Sequence, residues 1–360
     1  MAHPYCKFLS NGYRFAANGN TLLFNPCCHL PEAEISSLED LTNAREKMVE
    51  FVENDKTICN YYCNRHNVDH NTSNVGYEHK ATMRQFINGM VDDDEIDSIP
   101  RVLQLQVDTT CNAACIMCEP KFSSLWAKQR GIVVIKQDIP NFYDQIESLI
   151  DLNQLRDIDF LGGEPFVNSN HIYILKKIKE PSLVKLRYVT NGSVVPNNEI
   201  LEIWSNFKEV TVTFSIDDIE QRYEYIRWPL KWNKVSNNFK QLSNEVATNS
   251  SLQHCTIGIH CTSNALSMFY INEIEAWIIE NSKFYLFSPC NTRFNSEAVP
   301  LALRAAILSK LRSDHPVGYY VKSSYEPSAA KQMIARLEHL DKIRGTSWRE
   351  TFPEIVQYFK

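Results

Sequence analysis

The chain has 360 residues, room for two or three structural units, with 44% hydrophobic residues and a formal net charge of −6. That mild acidity argues against nucleic acid as a partner, and no apolar run reaches membrane-spanning length. No secretory signal opens the chain, so eleven cysteines point to metal clusters in a cytoplasmic setting, with disulfides disfavoured.

Residues 1–98 read as a cysteine-rich unit with Cys6, Cys27, Cys28, Cys59 and Cys63. Tyr13-Arg14-Phe15 and Leu22-Leu23-Phe24 predict a hairpin that turns at Asn18-Gly19-Asn20. Cys27 and Cys28 are adjacent, and their side chains diverge, so one is expected to bind metal and the other to pack. Zinc is an open reading for such a cysteine set, and His29 and His66 are fallback ligands.

From residue 99 to 298 strands alternate with helices, which implies a parallel sheet. Val102–Val107 alternates and predicts a strand that leads into Cys111-Asn112-Ala113-Ala114-Cys115-Ile116-Met117-Cys118. Cysteines at C-x3-C-x2-C spacing can reach three irons of a [4Fe-4S] cube and leave the fourth open to a small molecule. A second strand at 157–161 runs into Gly162-Gly163-Glu164-Pro165. There the glycines let backbone approach a ligand and Glu164 offers acceptors to an ammonium. Further strands are predicted at 184–189, 209–214, 255–260 and 284–287. Helices are expected at Phe142–Leu152, Ile172–Ile178 and Ile271–Ile279. The third and fourth strands end in Thr190-Asn191-Gly192-Ser193 and Ser215-Ile216-Asp217-Asp218. Cys255 and Cys261 flank a buried strand and read as packing, whereas Cys290 follows the last strand, on the side where substrate would lie. Residues 299–360 read as helical, with apolar stripes at Leu301–Leu311 and Ala329–Leu340 and a stop at Gly345.

The cysteine spacing, the preceding strand and the GGEP turn together resemble the radical S-adenosylmethionine (radical SAM) enzymes. The resemblance implies a partial (β/α)6 barrel with active groups at the C-terminal strand ends. It also implies a SAM-binding [4Fe-4S] cluster on Cys111, Cys115 and Cys118. Gly162, Gly163 and Glu164 would bind the amino group of SAM, Ser215 and Asp217 would lie near its ribose, and Arg227 near its carboxylate. Asn191 is a weaker candidate, since Asn-Gly also makes ordinary turns, and Met117 sits either near the adenine or in the core. Tyr223-Glu224-Tyr225-Ile226-Arg227 resembles a stretch of the peptide-modifying branch. The N-terminal layout resembles proteins with a twitch- or SPASM-like auxiliary cluster, which implies a second [4Fe-4S] cluster on Cys6, Cys27, Cys59 and Cys63. The resemblance implies reductive cleavage of SAM by an electron from a flavodoxin or ferredoxin, then hydrogen abstraction from a peptide or a small metabolite. Cys290 would return or surrender a hydrogen atom, as a cysteine does in some epimerases of the family.

Overall fold

Six strands that each carry apolar residues at every second position assemble in sequence order into one parallel sheet. They are β4 (Val102–Gln106), β5 (Asp157–Phe160), β6 (Lys185–Thr190), β7 (Glu209–Ser215), β8 (Cys255–Ser263) and β9 (Tyr285–Pro289). A computed structural model of the chain describes residues 9, 11–27, 30–54, 99–133, 137–322 and 324–359. In it the hairpin expected near the N-terminus forms as β1 (Gly12–Asn18) and β2 (Thr21–Asn25), with Gly19 at φ 61° in the turn. β1 then pairs parallel to β4 and β3 (Ala33–Ile35) pairs with β2, which gives a nine-stranded sheet of order β3-β2-β1-β4-β5-β6-β7-β8-β9.

Helices make the crossovers. They are α1 (Leu38–Asn54) after the hairpin, α2 (Ser124–Gln129) and α3 (Ile139–Leu149) before β5, α4 (Ile172–Leu175) before β6, and α5 (Asn198–Trp204) before β7. α6 (Glu220–Ile226) and α7 (Trp232–Thr248) precede β8, and α8 (Ile271–Asn281) precedes β9. α9 (Leu301–Lys310), α10 (Pro316–Tyr320), α11 (Pro327–Arg344), α12 (Trp348–Thr351) and α13 (Pro353–Val356) follow the last strand. The result is the expected α/β partial barrel. α3 starts three residues earlier than the pattern predicts, because Asp138 accepts the Asn141 amide as a cap and Pro140 sits in the first turn. α4 is shorter than predicted: beyond Leu175 the amides of Lys177 and Ile178 bond three residues back, which is a 3-10 continuation. α11 ends at Gly345 in the left-handed region, φ 66°.

Period-two patterning divides the sheet into two faces. Leu103, Leu105, Ile158, Phe160, Leu186, Tyr188, Val210, Val212 and Phe214 lie buried beneath the helices. The alternate positions, Gln104, Asp159, Arg187 and Thr211, form one register row across four strands on the inner face. Strands β6 and β7 alternate between half-exposed inner residues and buried outer ones, so the interior is polar and accessible. Arg187 grips Asp157 through three hydrogen bonds of 3.0, 3.1 and 2.9 Å, and Gln104 donates to Asp159 at 2.9 Å.

Candidate active site around the cysteine loop

The loop that leaves β4 is fixed through both its carbonyls and its amides. Ser124 Oγ donates to the Cys111 carbonyl at 3.2 Å and accepts from the Cys111 amide at 3.1 Å. Ser123, the N-cap of α2, donates to Ala113 O at 2.6 Å. Trp126 Nε1 donates to Cys115 O at 2.7 Å, and Arg344, at the far end of α11, donates to Ala114 O at 2.6 Å. The amides of Ala114 and Ile116 bond the carbonyls of Trp228 and Ile226, just beyond α6 and at its end. With the backbone so committed, the sulfurs of Cys111, Cys115 and Cys118 remain as the reactive groups, half-buried against the core.

Burial, reinforced by the charge of Cys115, pushes the Cys111 and Cys118 thiols up to about 12, and burial raises Cys115 too. Three thiols that oppose each other's ionisation need a cationic centre to become thiolates. Among the described residues no His, Cys, Asp and Glu side chains close around a single ion. A cube, which gives each cysteine its own iron, suits three separate sulfurs better than one ion does. The donor set therefore fits an iron–sulfur cluster.

The GGEP turn is pressed against this loop. A Cβ on Gly163 (φ 58°) would lie 2.5 Å from Thr110 O and 2.7 Å from Asp108 O, so only glycine fits. Gly162 (φ 146°) likewise backs onto the Gln106 side chain. The Glu164 amide donates to Thr110 O, tying turn to loop. The Glu164 carboxylate is 2% exposed and accepts from Thr190 Oγ1 at 2.6 Å, the Asn191 amide at 2.6 Å and the Phe166 amide at 3.2 Å. Burial raises it to about 7 against the pull of those donors. Three donors leave part of its acceptor capacity for a ligand.

Asn191 continues the chain of contacts, donating to Asn112 Oδ1 at 2.9 Å and reaching 3.8 Å from Cys111 Sγ. On the opposite side Arg227, the C-cap of α6, is held by Asp217: Nε and Nη2 lie 2.8 and 2.7 Å from Oδ2. Its remaining amine faces Cys115 Sγ at 3.8 Å. Asp217 is fully buried and its other oxygen accepts from the Thr262 amide at 2.8 Å. Asp217 therefore positions the Arg227 fork and holds the end of β8. Ser215 ends β7 in register with His260, whose Nε2 lies 2.7 Å from Ser288 Oγ. Met117 is half-buried and packs on the core. Cys290 is 4% exposed just past β9, 3.2 Å from Thr292 Oγ1, with its thiol pushed up to about 11 by burial.

The structure thus gathers Cys111, Cys115, Cys118, Glu164, Asn191, Asp217 and Arg227 at the C-terminal ends of β4 to β8. Of the four N-terminal ligand candidates only Cys27 lies within the described residues, where it is buried and its carbonyl accepts from Leu30. Cys6, Cys59 and Cys63 lie outside them, as do Cys28, His29 and His66. The sequence stretches 118–126 and 340–345 also resemble the auxiliary-cluster subgroup, but sequence reasoning assigned no role to Ser123, Ser124, Trp126, Arg344 or His260. The Ser-Ser pair is a readable helix cap, whereas Arg344 stands 230 residues from its partner Ala114 and no local pattern marks it.

Residues 106–257 match the family model of the Radical SAM superfamily. Over 131 residues the chain is 30% identical to an S-adenosylmethionine-dependent nucleotide dehydratase of Psychrobacter lutiphocae. The match covers 33% of this chain, and the chain spans 41% of that relative's length. Among solved structures, it is similar to SuiB of Streptococcus suis bound to its precursor peptide SuiA, with 11% identity and a TM-score of 0.40. That match covers 96% of this chain and 74% of that one. It is also similar to anSMEcpe with bound AdoMet and a Kp18Cys peptide, at 16% identity and a TM-score of 0.37, covering 68% and 62%. No helix among the described residues is long and apolar enough to cross a membrane.

Proposed function

We propose that this chain, whose residues 106–257 form a radical SAM domain, is an enzyme that starts a radical reaction on a substrate held against the polar interior of the sheet. Cys111, Cys115 and Cys118 would hold the [4Fe-4S] cluster. When bound, that cluster supplies the electron that cleaves SAM to methionine and a 5′-deoxyadenosyl radical, and the radical removes a hydrogen atom from the substrate. Glu164 offers its remaining acceptor capacity to the SAM ammonium. Arg227, held by Asp217 through Nε and Nη2, offers its remaining Nη1 side to the carboxylate. Asn191 and Asn112 bridge the cluster loop to the end of β6 and keep both walls of the site in register. The observation that carries this reading is the cysteine loop itself, whose backbone is tied down by Ser123, Ser124, Trp126 and Arg344 while its three sulfurs make only long contacts of 3.6 to 3.8 Å.

The substrate class is proposed in two readings. A peptide is supported by the Tyr223–Arg227 stretch, here α6 and its cap, and by the cysteine layout before the barrel. The reactions in view are cross-linking, epimerisation and oxidation, with Cys290 as hydrogen donor in the second. A small metabolite, such as a sugar, a nucleotide or an amino-acid derivative, is favoured by the likeness of the barrel segment to a nucleotide dehydratase. In either reading a flavodoxin or ferredoxin in the cytoplasm delivers the electron. Cys6, Cys27, Cys59 and Cys63 would hold an auxiliary [4Fe-4S] cluster, which would supply a site for the electron left after oxidation or for the substrate.

The test is anaerobic incubation of the reconstituted, reduced protein with SAM. Formation of methionine and 5′-deoxyadenosine, lost in Cys115→Ala, supports the reading. A cluster-loaded protein that binds SAM without cleaving it contradicts the reading and leaves a non-catalytic iron–sulfur protein.

A further inference from the structure

Beside the cysteine loop lies a cavity of about 610 Å³ between α2, α11 and the segment that follows β9, with Arg130, Arg293, Arg336 and His339 in its walls. Three arginines on one wall repel each other, and proteins usually answer such crowding with carboxylates. Here none is supplied. Among the described residues Arg130, Arg293 and Arg336 have no acidic partner. The acids nearest along α11 are engaged elsewhere: Glu338 pairs with Arg349 at 2.8 Å. Asp341 is held by Tyr225 Oη, Thr346 Oγ1 and the Trp348 amide.

The crowding is organised around one indole. The guanidinium groups of Arg336, Arg344 and Arg130 stand 4.4, 5.2 and 5.5 Å from the ring centre of Trp126. Burial and the charges of Arg130, Arg293 and Arg344 lower Arg336 to about 10, so the wall carries an uncompensated positive field. The cavity connects to the active loop through Gln129 in its wall, which accepts from Arg344 at 3.0 Å, while Arg344 also donates to Ala114 O of the loop. Arg293 stands just past β9, at the end of the sheet where the site residues gather.

From this geometry we infer that the basin binds the phosphate chain of a small phosphorylated ligand. The inference rests on the small-metabolite reading above and narrows it to a substrate that carries phosphate. Planar guanidinium forks suit phosphate oxygens, and a concave pocket of this volume suits a small ligand better than a protein face. Phosphate would supply the negative charge that the surrounding acids withhold. An acidic electron carrier is the other anionic visitor, and the experiment separates the two.

Inorganic pyrophosphate is titrated calorimetrically into the full chain, wild type and the variants Arg293→Gln and Arg130→Gln, with Lys240→Gln as a charge control on α7. Both arginines are exposed wall residues, and thermal melts check that the variants fold. The expected result is saturable binding near one site per chain. It weakens at least about tenfold in each arginine variant, stays unchanged in Lys240→Gln, and fades with added salt. Absence of saturable binding overturns the inference, and so does equal weakening in all three variants. If pyrophosphate fails to bind while Arg293→Gln slows cluster reduction by an acidic flavodoxin, the basin is a docking face for that protein and the phosphate assignment is wrong. Pyrophosphate binding needs no SAM cleavage, so loss of the radical reading and loss of this site are read separately.

Discussion

The two faces of the sheet solve the same problem, burying strands, by opposite means. Outside, Leu103, Ile158, Leu186 and Val210 are each 0% exposed, and their stability comes from apolar area removed from water. Inside, the same strands present Gln104, Asp159 and Arg187, and order comes from charges that satisfy each other. The difference teaches that the interior is tuned for solvent and ligand, since a purely structural interior would be apolar at lower cost. It also means that equal losses of stability on the two faces should respond to pH in different ways.

The largest effect is expected from Arg187→Met. It leaves Asp157 and Asp159 buried without their cation and should cost about 3–5 kcal/mol in denaturant unfolding at neutral pH. Burial already holds the Asp159 carboxyl near about 7, above the 3.8 of an unfolded chain. A raised carboxyl favours folding below its unfolded pKa and loses that contribution as pH rises through the folded one. The variant should therefore regain stability as pH falls from about 7 towards 4. Leu186→Ala, the neighbouring outer residue, should cost about 2–5 kcal/mol with no such recovery. Equal pH profiles for the two variants would collapse the contrast between the faces.

His171 sharpens the contrast from the outer side. It is 4% exposed, edge-on to Phe160, Phe166 and Tyr188. Burial lowers it to about 4 from 6.5. A depressed base stabilises above its unfolded pKa, so this contribution, roughly 3 kcal/mol, should be lost as pH falls from 6.5 to about 4. His171→Phe should flatten that slope in unfolding measured across the range. Next in size, Gly163→Ala should cost more than about 1 kcal/mol, since its backbone is left-handed and two carbonyl oxygens occupy the space of a methyl. Denaturant midpoints check this, and reduced SAM binding should accompany it. Smallest is Trp126→Phe, which removes the donor to Cys115 O and should cost about 1 kcal/mol by the same assay.

Much of this architecture was legible in the sequence because its signals are local. All six barrel strands, the hairpin at Gly19 and the helix stop at Gly345 follow from alternation and turn chemistry within a few residues. The cysteine loop and the GGEP turn were legible for the same reason. What escaped depends on distance along the chain. The parallel pairing of β1 with β4 joins residues about ninety apart, and nothing in either strand names its neighbour. Arg344, which ties a C-terminal helix to the cysteine loop, is one of many arginines until the fold brings it to Ala114. α7 was readable from Trp232, Val235, Phe239, Leu242 and Val246, but its many asparagines and serines hide the apolar stripe. The inward commitment of Asp217 was also hidden, since an Asp after a strand reads equally well as a ligand contact and as an anchor for Arg227.

The central claim is that Cys111, Cys115 and Cys118 form a pre-ordered cradle for an open cluster. Iron counting with EPR after anaerobic reconstitution tests it most directly, on wild type and on the Cys111→Ala, Cys115→Ala, Cys118→Ala triple variant. The account predicts that the triple variant loses about four irons per chain, together with the reduced-cluster signal that SAM perturbs in the wild type. With the proposed auxiliary cluster the totals are about eight and four. Equal iron in the two proteins, with SAM leaving the wild-type signal unchanged, would contradict it.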